Sequence, residues 1–313
     1  MIQDQPGWQK ACSRLSDNHS AERRRLILTG AACIAGVLTG PRLAAVPTSQ
    51  FDGPRRINLS GRQRMLIQRT GKFVCLAYMT PRSHSLITAA DEALALYQRT
   101  EAGLINGDEE LGLGAETNTL AINALKQARQ AFKPYGEVIR EVVDRRSADP
   151  EHMEKIAQLN DPALVAMDAA VKVIERIYNS PELSERFAML INIAGRQRMF
   201  TQRMILQLCL YLSVQRTAQM KQEILRTINR FEVSQNILQR VTPVVIPDPN
   251  NRPLLSSFGE IQYRWGALRD GILKATESRS GQSAEDMLAL DSKAEDLLKN
   301  INNTVMLYED AGE

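Results

Sequence analysis

The chain has 313 residues, 43% of them hydrophobic but only 5% aromatic, and a formal charge of +3 at neutral pH. That length holds one large or two ordinary domains, and the abundant Leu, Ala, Arg, Gln and Glu favour helices. The histidines His19, His84 and His152 do not cluster, and no cysteine pair has a metal-ligand spacing, so neither a zinc site nor a catalytic triad is expected.

Residues 1–45 read as an export signal peptide. Arg23, Arg24 and Arg25 precede an apolar run from Leu26 to Leu38, and small residues follow at Ala44 and Ala45. A run of about 13 residues is short for a bilayer span. Arg24-Arg25 followed by Leu26, Ile27 and Leu28 has the character of a twin-arginine signal. Cleavage near Ala45 and a periplasmic location are therefore expected; an uncleaved helix is the alternative. Six basic and three acidic residues lie in this segment, so of the 39 and 36 in the chain 33 of each sign remain. A neutral remainder argues against nucleic acid as a partner.

Residues 46–54 read as a linker. From Arg55 onward apolar residues recur at spacings of three and four, as in Leu86, Ala89, Ala90, Ala93, Leu94 and Tyr97. Breaks rich in Gly, Pro, Ser and Asn fall at 79–83, 105–114, 147–150, 179–183, 241–253 and 278–283. They leave helices at 55–79, 83–104, 115–146, 151–179, 184–215, 217–240, 254–277 and 283–310. The expected fold is all-α, two tandem antiparallel four-helix-bundle repeats joined by short loops.

The first and fifth of these helices carry nearly the same thirteen residues. INLSGRQRMLIQR begins at Ile57 and INIAGRQRMFTQR at Ile191, with nine positions identical at an offset of 134. The same offset pairs Cys75 with Cys209, Tyr97 with Phe231, Val171 with Val305 and Glu175 with Glu309. At about 100° per residue, Ile57, Gly61, Arg64, Gln68 and Cys75 form one stripe, as do Ile191, Gly195, Arg198, Gln202 and Cys209. Arg62, Arg69, Arg196 and Arg203 fall on the flanks. Glycine inside a helix costs about 1 kcal/mol relative to alanine and is usually kept for a close approach. An inward arginine must be paired, and a small planar anion beside the glycine would accept its fork of donors. Ion pairs with Asp91, Asp168, Glu175 or Glu309 are the alternative.

These two motifs resemble the N-terminal sensory domain of type IV pilus methyl-accepting chemotaxis transducers, the PilJ-type domain, in two copies at 55–183 and 184–313. That domain is similar to the periplasmic sensor region of nitrate/nitrite sensor kinases. The resemblance implies a four-helix bundle that binds nitrate or nitrite between equivalent helices. Ligand contact would fall to Gly61, Arg64, Gly195 and Arg198, with Asn58, Gln68, Asn192 and Gln202 as secondary ligands or supports. Between glycine and arginine the local sequence departs from the kinase motif. No second hydrophobic span and no kinase, methylation or DNA-binding segment is legible. The expectation is a freestanding exported sensor of a small anion, without cofactor or metal, signalling through a membrane or periplasmic partner and able to form a homodimer.

Cys75 and Cys209, the two cysteines beyond residue 45, share the arginine stripe. Facing one another in an oxidising compartment they could form a disulfide; otherwise they act as small apolar residues. A helical interaction scaffold and a redox-responsive bundle switched by this pair therefore stand beside the anion sensor. An enzyme is not expected, because no nucleophile–base pair, metal set or phosphate loop is evident.

Overall fold

The computed structural model describes residues 52–81, 83–178, 185–247, 252–278 and 283–312. The expected signal peptide and residues 46–51 of the expected linker lie outside them. The described residues form helices α1 (Gly53–Met79), α2 (His84–Asn106), α3 (Thr119–Arg145), α4 (Pro150–Ile177), α5 (Glu185–Ser213), α6 (Ala218–Val245), α7 (Arg252–Glu277) and α8 (Ala284–Gly312). The offset of 134 carries each of the first four onto one of the last four within a few residues. No helix among the described residues is long and apolar enough to cross a membrane.

Local chemistry accounts for the ends. The Asn118 side chain accepts from the backbone N–H of Leu120 and Ala121, so α3 starts at 119 rather than at the expected 115. Asp149 and His152 form a reciprocal capping box at α4, and Ser283 and Asp286 do the same at α8. Thr217 caps α6 through the Met220 N–H. Gly53 and Pro54 belong to α1, not to the linker, since proline suits the first helical turn. The break expected from 241 begins later, because α6 runs over Pro243 to Val245. A proline so near the C-terminus disturbs few helical hydrogen bonds, and buried Thr242 bonds the Tyr308 hydroxyl.

The helices pack as two antiparallel four-helix groups, α1–α4 and α5–α8, joined side by side along α1 and α5. An end-to-end arrangement is excluded. The outer helices are amphipathic, as in α7, which buries Leu254, Phe258, Ile261, Trp265, Leu268 and Ile272 at helical spacing. α1 is different, being buried nearly all round, and Gly71 shows how tightly. A Cβ there would stand 2.2 Å from the Tyr135 hydroxyl, which donates to the Ile67 carbonyl at 2.9 Å.

α1 carries six basic residues and no acidic one. Such a helix is tolerated in the interior only where its neighbours supply acceptors. Arg56 takes Asp52 and Glu116, Arg64 takes Asp168, and Arg69 and Lys72 take Glu295. Arg69 thereby joins α1 to α8, and 134 residues on Arg203 joins α5 to Asp161 of α4 at 2.9 Å. The last arginine of each motif thus ties one group of helices to the other.

Candidate functional site

α1 and α5 run in the same direction and meet through their like-numbered stripes. At one level Gly61 faces Gly195; fourteen residues on, about four turns along the helix, Cys75 and Cys209 are bridged with their Cα atoms 6.2 Å apart. Sequence reasoning placed Gly61, Arg64, Gln68 and Cys75 on one face with their counterparts; the structure brings the glycines, arginines and cysteines together at this seam and buries both glutamines. The flank arginines reach outward as expected, Arg62 to the Thr100 hydroxyl and Arg69 to Glu295.

The glycines make room for two guanidiniums. A Cβ on Gly61 would lie 3.3 Å from Arg64 Nη2 and 3.7 Å from Arg198 Nη2; on Gly195 it would lie 3.3 Å from Arg198 Nη2 and 3.8 Å from Arg64 Nη2. Two like charges therefore converge on one point of the interior. Arg64 is fully buried and Arg198 is 3% exposed, so water does little to screen them.

Their surroundings are unequal. Arg64 donates from Nη1 to Asp168 and from Nη2 to Asn192 Oδ1, both at 2.7 Å. Arg198 donates from Nη2 to the backbone carbonyl of Asn58 at 3.0 Å, and among the described residues no carboxylate lies within ion-pair distance of it. Both Nε atoms are buried without a hydrogen-bond partner. One turn along, the amides of Gln68 and Gln202 are fully buried with neither oxygen nor nitrogen partnered. Glutamine amides seldom stay so in a native interior. Asn58 donates to Glu309, and Asn192 to Glu175 at the equivalent place; Asn58 Oδ1 has no partner.

The charges register this inequality. Burial, with Arg62 and Arg64 nearby, pushes the Arg198 guanidinium down to about 9, against a smaller opposing effect of Glu309. It stays cationic at neutral pH. Burial lowers Arg64 too, but Asp168 opposes it. For Asp168 burial works upward, yet Arg64 and Lys172 outweigh it and hold the carboxyl below its usual range. Glu175 is raised by burial. Two guanidiniums thus face each other at the centre with one carboxylate, Asp168, in ion-pair contact.

Sequence reasoning did not find the second buried cluster, in which Lys72 meets Asp291 at 2.5 Å and Glu295 at 2.6 Å. Nor did it find Arg56 held by Asp52, Glu116 and the carbonyls of Leu104 and Gly114. The one signal for either was the excess of cations on α1, six basic residues with no acidic one.

Residues 182–296 match the family described as the type IV pili methyl-accepting chemotaxis transducer N-terminal domain, PilJ. No curated protein and no solved structure matches the chain. The match spans α5, α6, α7 and the first half of α8, and so includes Gly195, Arg198, Gln202 and Cys209. Over residues 182–296 the chain is thus similar to a PilJ-type sensory domain, a likeness that supports a chemotaxis-transducer-like sensory role.

Proposed function

We propose that the protein is an exported sensor of a small monovalent anion, nitrate or nitrite, held between Arg64 and Arg198 at the seam of α1 and α5. In this reading residues 55–183 are a second PilJ-type repeat, residues 1–45 direct export to the periplasm, and the chain acts as a binding module, not an enzyme. The observation that carries it is Arg198, a buried guanidinium that faces a second one and has no carboxylate within reach among the described residues. Such a charge is costly to bury, and a planar anion would satisfy its fork together with the Gln68 and Gln202 amides.

Binding removes the repulsion between the two arginines and draws α1 and α5 together at that level, while the Cys75–Cys209 bridge fixes them four turns away. A small change in helix angle is then the signal. A membrane or periplasmic partner reads it by preferring one of the two arrangements.

The test is the thermal midpoint titrated with nitrate, nitrite, chloride and sulfate at constant ionic strength. A saturable rise with nitrate or nitrite is expected, worth about 2.7 kcal/mol at a hundredfold excess over the dissociation constant. A midpoint indifferent to both would return the arginines to a purely structural role.

A further inference from the structure

The two halves of the seam differ at one position that bears on charge. Asp168 lies on α4 and accepts from Arg64 at 2.7 Å. The residue 134 positions on is Asn302, on α8. The two positions are equivalent in space as well as in number. Seven residues further along each helix stand Glu175 and Glu309, which accept from Asn192 and Asn58, themselves a pair at the same offset. Seven residues is two turns, so Asp168 shares a face with Glu175 and Asn302 with Glu309. One half of a duplicated site therefore holds a carboxylate where the other holds a neutral amide.

We infer that Asp168 is the specificity-determining residue of the anion site, an internal counter-ion that limits the seam to one singly charged anion and excludes divalent ones. This rests on the reading of Arg64 and Arg198 as an anion site. Glu175 and Glu309 are matched across the seam by the flank arginines Arg196 and Arg62. The two guanidiniums and the one carboxylate in ion-pair contact thus leave a single uncompensated positive charge. A nitrate ion balances it; a sulfate ion would overfill it and bring two negative groups together in the interior, where like charges repel strongly. Lys172 at 2.9 Å and Arg196 at 3.9 Å also face Asp168, with side chains 57% and 34% exposed that water screens more than the two buried guanidiniums. The anion accordingly sits nearer Arg198 than Arg64.

Two reciprocal substitutions in the full chain test this, read as midpoint shifts with sodium nitrate and sodium sulfate at matched ionic strength. Asp168→Asn removes the counter-ion and is expected to gain a saturable shift with sulfate that the parent lacks. Asn302→Asp supplies a second counter-ion and is expected to weaken nitrate by at least about tenfold. A merely structural role for Asp168 would change the midpoint without changing the preference between the two anions. Asp168→Asn with the parent's preference, or Asn302→Asp with the parent's nitrate affinity, would overturn the inference. Should Asp168→Asn lose its helical circular dichroism, Asn302→Asp decides alone, since it disturbs no ion pair. A parent protein that does not respond to nitrate or nitrite is a different failure: it removes the anion site itself and this inference with it.

Discussion

Lys72 of α1 and Asp291 of α8 meet at 2.5 Å where the two groups of helices join, with the lysine side chain wholly buried and the aspartate 11% exposed. Glu295 lies 2.6 Å from the same ammonium, and Arg69 takes that carboxylate as well. Burial raises Asp291 above its usual range. Glu295 is pressed down to about 2, because Lys72 and Arg69 outweigh its own burial. Lys72→Met would leave Asp291 buried without its cation, while Glu295 keeps Arg69. Removing one partner of a buried pair is costly, so a loss of about 2–4 kcal/mol is expected in urea unfolding. Exchange of Asp291 to Asn in the same background should recover most of it. A loss below about 0.5 kcal/mol would mean that the ammonium contributes no more than a surface ion pair.

The bridge between Cys75 and Cys209 closes a loop of 134 residues and links the two groups of helices. Cross-links over long loops restrict the unfolded state most, and Cys75→Ser with Cys209→Ser should cost about 2–5 kcal/mol. The native seam should survive the change, because the ion pairs of Arg69 and Arg203 still bind the two groups together. The checks are a thiol count on the unreduced parent and denaturant unfolding of the double variant. Two free thiols in the parent would dismiss both the bridge and the redox-responsive alternative.

The seam was legible because two signals coincide there. Helical period puts Gly61, Arg64, Gln68 and Cys75 on one stripe, and duplication puts the same residues 134 positions on, so two such stripes have a partner ready in each other. The eight helices were legible from spacing and punctuation, with errors confined to ends where a side chain decides, as at Asn118, or where proline is tolerated, as at Pro243. Which acid meets which arginine was not legible. Asp91 and Asp168 are equal candidates in the sequence, yet Asp91 takes Arg140 and Asp168 takes Arg64. That choice depends on how helices cross and which rotamers then reach, and no periodicity encodes it.

Arg64 and Arg198 occupy equivalent positions but should respond oppositely to removal. Arg198 has no carboxylate within ion-pair distance among the described residues, so Arg198→Met exchanges a buried charge for an apolar side chain of similar length. In nitrate-free buffer that exchange should be neutral or stabilising by up to about 2 kcal/mol. Arg64→Met orphans Asp168, which is 30% exposed and keeps Lys172, and should cost about 1–2 kcal/mol. Both variants should lose the nitrate response. Equal losses of stability from the two would refute the charge imbalance at the seam.

Under the proposed function, the depressed titration of Arg198 should set the pH range of anion binding. Its usual value is 12.5 and in the fold it is about 9, pushed down by burial and by Arg62 and Arg64. Between these values the unfolded chain binds more protons than the folded one, so stability rises with pH through that window, and the destabilisation is present in full below about pH 9. Bound nitrate relieves it by favouring the charged form. The midpoint shift at saturating nitrate should therefore be level from pH 7 to 8 and shrink as pH passes 9. A shift that stays level to pH 10 would point to an anion seated away from Arg198.

Gly61 and Gly195 hold the last prediction, because under the proposed function a methyl group there would compete with the anion for the same space. A Cβ at either would lie 3.3 Å from the Nη2 of the arginine on its own helix, the far end of a flexible side chain that can withdraw by a few tenths of an ångström. Neither glycine has a positive φ, so alanine meets no backbone strain and gains helix propensity, about 1 kcal/mol at each site at most. Gly61→Ala with Gly195→Ala should raise the unliganded midpoint and abolish the nitrate shift. Stability and binding would then move in opposite directions, as they do when a small residue is kept for a ligand at the expense of the helix. A double variant that is less stable and still binds nitrate would show that the glycines serve helix–helix approach alone.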